Sequence, residues 1–365
     1  MLKKKKWKRR SSFFLFLKQK RKAEKVMRQR MRKKKKRHHW LNKCPTQRVL
    51  EISKMFPEHR LINAPDNFSL LNNETETLKF LQKLQECYNK RRKVAVLLDN
   101  VKTITTDAIL VLLSNMVQFK SARIGFNGTR PKNAIVASKL DASGFYKRLY
   151  GYAMRDQDMY TFQKMNNFIY THGQKTVESS VADDLVKYAS ETVWGIARRC
   201  PGIQTTLVEL MHNTHDHAGE FKGEKHWWLS VEHDDKAKEV TFSFIDFGVG
   251  IFRSLANKKR GEPLYGAMDY IIQHFPMATT EVDRLKLILE GKVVLTQFNE
   301  YYRGKGLRKI YIKHQNKQIS DFTIISNFAS VHASQNDFHA IKNEFVGTFI
   351  SFKMDKNTYN LQWEI

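Results

Sequence analysis

Three polar side chains recur at four-residue intervals between Thr205 and Gly219: Glu209, Asn213 and His217, in TTLVELMHNTHDHAG. On a helix that spacing stacks a carboxylate, an amide and an imidazole along one face. Leu207, Leu210, Met211 and Thr214 fall at helical spacing on another side, so the segment reads as a helix with a packed side and a chemical side. Three glycine-bearing stretches follow in order, each where a strand pattern meets a loop: Asp246-Phe-Gly248-Val-Gly250-Ile251, Arg303-Gly304-Lys305-Gly306-Leu307, and Gly347-Thr348-Phe-Ile-Ser-Phe352. The second opens a helix pattern over 307–314. A glycine-rich helix entry exposes backbone N–H groups to phosphate, and the helix dipole adds positive potential. Asp246 closes a strand of β-branched and aromatic residues. A carboxylate at such an edge is a rigidly held hydrogen-bond acceptor, able to select a ligand by its donor and acceptor pattern.

In this order the four boxes resemble the GHKL superfamily, the ATP-binding fold shared by DNA gyrase, the large heat-shock chaperones, the mismatch-repair ATPases and histidine kinases. The resemblance covers roughly residues 180–355. Glu209, Asn213 and His217 are most similar to the E-x-x-x-N-x-x-x-H box of the anti-sigma-factor serine kinases. The resemblance implies ATP and Mg2+ as the bound pair, with Asn213 as a magnesium ligand that adds an oxygen without charge. It implies Glu209 beside the terminal phosphate, as the general base that polarises a water or a protein hydroxyl. It sets Asp246, Gly248 and Gly250 at the adenine, with Thr348 assisting Asp246. Gly304, Lys305, Gly306 and Leu307 then line the phosphates, and His217 hydrogen-bonds near the nucleotide. Residues 253–303 take the place of the lid, where Lys258, Lys259 and Arg260 lie within reach of phosphates.

Two other chemistries are disfavoured. Histidine kinases carry a phosphoacceptor in an H-E-x-x-x-P context before the ATP domain; that context is missing here and His172 stands alone. His212, His215 and His217 invite a zinc reading, but His217 points away from the other two on a helix, and no cysteine or acidic cluster completes a set.

The elements before the boxes alternate strand and helix from 45 to 149. Short extended stretches at 59–63 and 68–71 precede an amphipathic helix over 73–91, a continuous apolar strand over 93–98, a helix over 106–119, a strand over 122–126, and a helix over 132–149 interrupted near Gly144. The run from Val94 to Leu113 is similar to STAS-like anti-anti-sigma domains, in which a phosphorylatable serine opens the helix. Thr105, Thr106 and Asp107 occupy that region without the family's D-S-S signature. The expected fold class is therefore α/β: a basic arm at 1–43, a STAS-like sheet-and-helix domain at 44–150, a linker at 151–180 and a GHKL (Bergerat) α/β sandwich at 181–365.

Composition bounds the partners. Lys3 to Arg37 holds 20 lysines and arginines against one acid, Glu24, so the arm carries +19 of the chain's net +28. Such density beside Trp7 and the Phe13–Leu17 cluster attracts phosphate backbones or anionic headgroups, so nucleic acid, the ribosome or a membrane surface is the expected partner class of residues 1–40. Cys44, Cys87 and Cys200 have neither paired nor metal-type spacing, which fits a reducing, cytoplasmic setting. The early apolar run of five residues is too short for a membrane span. The expected function is a Mg-dependent ATPase or Ser/Thr protein kinase acting in regulation, with a protein partner of the STAS type. The alternative is an ATP-gated adaptor whose arm binds nucleic acid or an acidic partner.

Overall fold

The computed structural model describes residues 54–143, 145–150, 163–165, 168–174, 179–217, 226–246, 248–258, 260, 265–293 and 306–358. The chain divides into two compact units, 1–59 and 60–365. In the described part of the first, the rings of Phe56 and His59 meet edge-on at 5.3 Å.

The second unit is mixed α/β and is built on one six-stranded antiparallel sheet. Its strands are β6 (Gln163–Met165), β7 (Phe168–Gln174), β8 (His226–Asp234), β9 (Glu239–Asp246), β10 (Ser320–His332) and β11 (Asp337–Met354), in the order β10-β11-β9-β8-β7-β6. Side chains alternate across a strand, so each strand must satisfy two environments. Trp227, Leu229 and Val231 of β8, Phe242 and Phe244 of β9, and Ile350 and Phe352 of β11 enter one core. That core is completed by helices α5 (Ser179–Trp194), α6 (Pro201–His217), α9 (Glu281–Leu289) and α10 (Gly306–Gln315). Trp228, Ile245, Ile325 and Phe349, of opposite parity, enter a second core.

The second core belongs to the N-terminal elements. Here β1 (Arg60–Asn63), β3 (Val94–Leu97) and β5 (Phe126–Gly128) form a parallel sheet, and β2 (Asn67–Phe68) pairs with β4 (Thr103–Ile104). Every residue of β3 is buried, as its unbroken apolar run requires. Helix α1 (Glu74–Asn89) packs on β11, and α2 (Thr106–Ser121) packs on β8 and β9. Ser230, Ser243, Ser351 and Thr323 lie in one cross-strand row and are all buried, and the first two, on β8 and β9, give α2 a seat of small side chains. Short side chains let the helix come close, and α2 is buried at every residue from Thr106 to Met116. Ser243 Oγ and Ser351 Oγ, 3.3 Å apart, satisfy one another beneath it.

Several sequence expectations are corrected here. Gln163–Met165 and Phe168–Gln174, inside the expected linker, form β6 and β7. The strand placed at 122–126 is three residues long and shifted to Phe126–Gly128, because Ala122 caps α2 and Arg123 turns with φ 58°. The helix pattern over 132–149, by contrast, is interrupted near Gly144 as expected, into α3 (Ala134–Ala142) and α4 (Phe145–Tyr150), and the Asn133 side chain caps the first by accepting from the amides of Ile135 and Val136. Thr106 is 3% exposed and its hydroxyl donates to Glu232 of β8, so this threonine is closed to a phosphorylating enzyme in the folded chain. Thr105 Oγ1 donates to the Phe68 carbonyl at 3.2 Å. Asp107 accepts the Leu70 amide at 2.6 Å, and burial pushes its carboxyl above the usual range despite such bonds. No helix of the described residues is long and apolar enough to cross a membrane. The basic arm at 1–43 lies outside the described residues.

The small-residue seat makes a prediction that runs against strand propensity. Ser243→Val suits a strand but adds methyl groups under α2, and is expected to destabilise by about 1–3 kcal/mol. Chemical denaturation checks this, and an unchanged or raised midpoint contradicts the close seat.

Candidate functional site

Helix α6 carries its apolar residues Ile203, Leu207, Leu210 and Met211 into the core, which leaves Glu209 and Asn213 partly accessible on another face. Helix α10 begins directly against that face. A Cβ added at Gly306 would stand 2.9 Å from Asn213 Oδ1, 3.2 Å from Asn213 Nδ2 and 3.2 Å from Glu209 Oε2. Glycine lets the first turn of α10 come this near without moving either group, whereas a methyl group would push the ends of the amide and the carboxylate aside. The first turn of this ten-residue helix, where amides lack intrahelical acceptors, thus lies beside an amide oxygen and a carboxylate. Three residues into α10, Lys309 Nζ reaches Glu209 Oε1 at 2.5 Å. Lys313, one turn further on, has its pKa lowered by burial and partly restored by the nearby Glu209 charge.

A second group sits at the end of β9. Asp246 is paired in register with Trp227 on one side and Thr348 on the other. Val240, Phe242 and Phe244 point into the α5–α6–α10 core, and strand alternation sends Asp246 to that same side. Ile350 and Phe352 fix Thr348 on it likewise. Gly248 N–H donates to Asp246 Oδ1 at 2.8 Å. Asp246 retains some accessible surface, yet protein surrounds its carboxyl closely enough that desolvation pushes the pKa up to about 6. The Gly248 amide and the Thr348 hydroxyl and amide pull in the other direction without overcoming it.

The loop after Asp246 is fixed from β10. Gly250 has φ 82°, and a Cβ there would fall deep inside the Asn327 side chain. Asn327 donates to the Val249 carbonyl at 3.0 Å and accepts the Phe252 amide at 3.1 Å. The amide of Ile251 donates to Ser326 Oγ at 3.0 Å, and Ser326 Oγ donates to the Gly347 carbonyl at 2.8 Å. Two adjacent side chains therefore tie the second and fourth sequence boxes together at the start of α7 (Ile251–Ala256).

The fold thus brings Glu209, Asn213 and Gly306 together at one place. Asp246, Gly248, Gly250 and Thr348 meet at another, on the same side of the sheet. Leu307 packs at the edge of the helical core. Gly304 and Lys305 lie outside the described residues, as do Arg303, Lys259 and the side chain of His217. Lys309, Ser326 and Asn327 were not singled out by sequence. Lys309 stands one helical turn after Gly306, a spacing that could have been noticed; Ser326 and Asn327 carry no local signal. No family model matches this chain, and no curated protein matches it.

The Asp246 environment carries a pH prediction. The folded carboxyl titrates near 6 and an unperturbed one at 3.8. The folded state therefore takes up the proton first as pH falls, and the cost of holding this buried charge is greatest above 6 and released below it. Asp246→Asn removes that cost, on the order of 2 kcal/mol at alkaline pH. The variant is expected to melt higher than the parent at about pH 8 and equally at about pH 4. Melting curves at the two pH values decide it, and a lower melting temperature for the variant at the alkaline value contradicts a desolvated carboxylate.

Proposed function

We propose that the six-stranded sheet with α5, α6, α9 and α10 is a GHKL-type domain that binds Mg-ATP and transfers its terminal phosphoryl group to water or to a serine or threonine hydroxyl. The carrying observation is the seat of Gly306 on Asn213 and Glu209: it joins the helix start suited to phosphate with the amide and acid of α6. The donor set fits the proposed ligands. Asn213 offers magnesium a neutral oxygen, and the metal, when bound, offsets charge on the phosphates. Asp246 and the Thr348 hydroxyl form a rigid polar edge for the exocyclic amine of adenine. A carboxylate kept partly desolvated at a cost in stability is the kind of group that binding sites retain.

Glu209 is the proposed general base, and its contact with Lys309 bears on how it acts. An anion at the entry of α10 competes for the Lys309 ammonium, which frees Glu209 to accept a proton from the attacking hydroxyl. The same ion pair favours a second reading, in which nucleotide rearranges Lys309 and the lid without turnover, and the chain works as an ATP-gated adaptor. The N-terminal sheet with α1 and α2 is proposed to be a STAS-like module. Its attachment to the opposite face of the same sheet supports control within one chain. Nucleic acid or another polyanion is the proposed partner of residues 1–40.

Incubation with γ-labelled ATP separates the readings. Turnover to free phosphate or to a labelled protein partner is expected from the parent chain, with Glu209→Gln lowering the rate at least 100-fold while leaving nucleotide binding within a few-fold. Turnover that survives the substitution contradicts the base assignment, and binding without turnover in the parent selects the adaptor. For the arm, deletion of residues 1–40 is expected to abolish salt-sensitive retention on heparin or RNA; unchanged retention contradicts the assignment.

A further inference from the structure

Away from α6 and α10, the tip of the β10–β11 hairpin meets the start of α1 in a cluster of nitrogen and carboxylate groups. One ligand atom each from Glu74, His332 and His339 lies within 4.8 Å of the others, all on partly buried residues. His339 Nε2 stands 2.8 Å from Glu74 Oε2, and its Nδ1 stands 3.1 Å from Asp337 Oδ2. His332 engages Thr323 Oγ1 through Nδ1 at 3.1 Å, which leaves Nε2 as its ligand atom. The remaining oxygen of Glu74 accepts the Ser330 hydroxyl at 2.5 Å. The two imidazole rings lie nearly parallel, with centroids 5.8 Å apart.

The backbone bends to make this cluster. Thr323 and His332 belong to one strand and are nine residues apart, a separation of about 30 Å in an extended chain. They touch because β10 folds back at Asn327, where φ is 50° and the pairing register shifts on both sides. An ion pair between α1 and the hairpin needs one histidine, whereas this arrangement brings two to the same carboxylate. Each of the three side chains also has an outer hydrogen-bond partner, in the pattern that fixes the tautomer and orientation of metal-binding imidazoles.

We propose that Glu74, His332 and His339 form a binding site for a zinc-class divalent transition-metal ion, through one carboxylate oxygen and the two Nε2 atoms, fastening the start of α1 to the hairpin tip. Two imidazoles and one carboxylate suit zinc and its neighbours rather than magnesium or calcium, and three protein ligands leave a fourth position for water. Bond lengths of about 2.0–2.1 Å set ligand atoms about 3.3 Å apart, so small side-chain rotations close the cluster around an ion. The ion's contribution is a cross-link between N-terminal elements and the long hairpin, independent of any nucleotide.

The test uses the full chain, stripped with a chelator and held in excess magnesium, titrated with zinc chloride by calorimetry and with cobalt(II) by visible absorption. One equivalent of zinc and the intense visible bands of four-coordinate cobalt are expected. His332→Ala and Glu74→Gln are each expected to weaken zinc binding at least tenfold, while the metal-free variants melt near the parent. The parent's cobalt spectrum needs no variant, so the proposal stays testable if a substitution impairs folding. Absence of zinc binding and of cobalt bands in the parent overturns the site, as does zinc binding equal in the parent and both variants.

Discussion

The alternation of side chains along β8, β9 and β11 is the constraint on which the rest of this structure depends. Because the sheet is covered on both faces, no strand can slip by one residue without exchanging Trp227 for Trp228, or Phe244 for Ile245, between two different cores. The same parity decides the chemistry. It sends Asp246 and Thr348 toward the helices, and turns the serine row and Glu232 toward α2. A fold that fixes its register this firmly can hold a half-desolvated carboxylate at a strand end without letting it swing out to water.

The two candidate groups are supported differently. Glu209 and Asn213 are held by a helix whose apolar side is buried, and their approach to α10 is limited only by the missing side chain of Gly306. Asp246 is held by backbone pairing on both sides and by a loop that Ser326 and Asn327 clamp from the neighbouring hairpin. The β10–β11 hairpin is thus connected to both the proposed adenine edge and the Glu74 cluster. Its bend at Asn327 serves the loop after Asp246 on one side and brings His332 back toward Thr323 on the other.

Much of this was legible in the sequence for local reasons. The four-residue spacing of Glu209 and Asn213, and the glycine at 306, are signals contained within a helix and its entry. The apolar run of β3 and the strand that Asp246 closes followed from simple periodicity. What was not legible depends on distant partners. Residues 150–180 lack a clear period, and the strand state of Phe168–Gln174 comes from pairing with β8, that of Gln163–Met165 from pairing with β7 in turn. Thr106 is legible as a helix start, but its burial against Glu232, a residue 126 positions away, is not. Asn327 and the Glu74–His339 contact are likewise products of tertiary placement, where propensity and pattern carry no information.

The central claim is that the α6 face and the strand end at Asp246 serve one adenine nucleotide. Calorimetric titration of the full chain with ATP and with GTP, each with magnesium, tests it most directly. The account predicts one ATP bound per chain, with GTP at least tenfold weaker because its purine edge presents the wrong donors and acceptors to Asp246. No heat with ATP, or equal affinity for the two nucleotides, would contradict it.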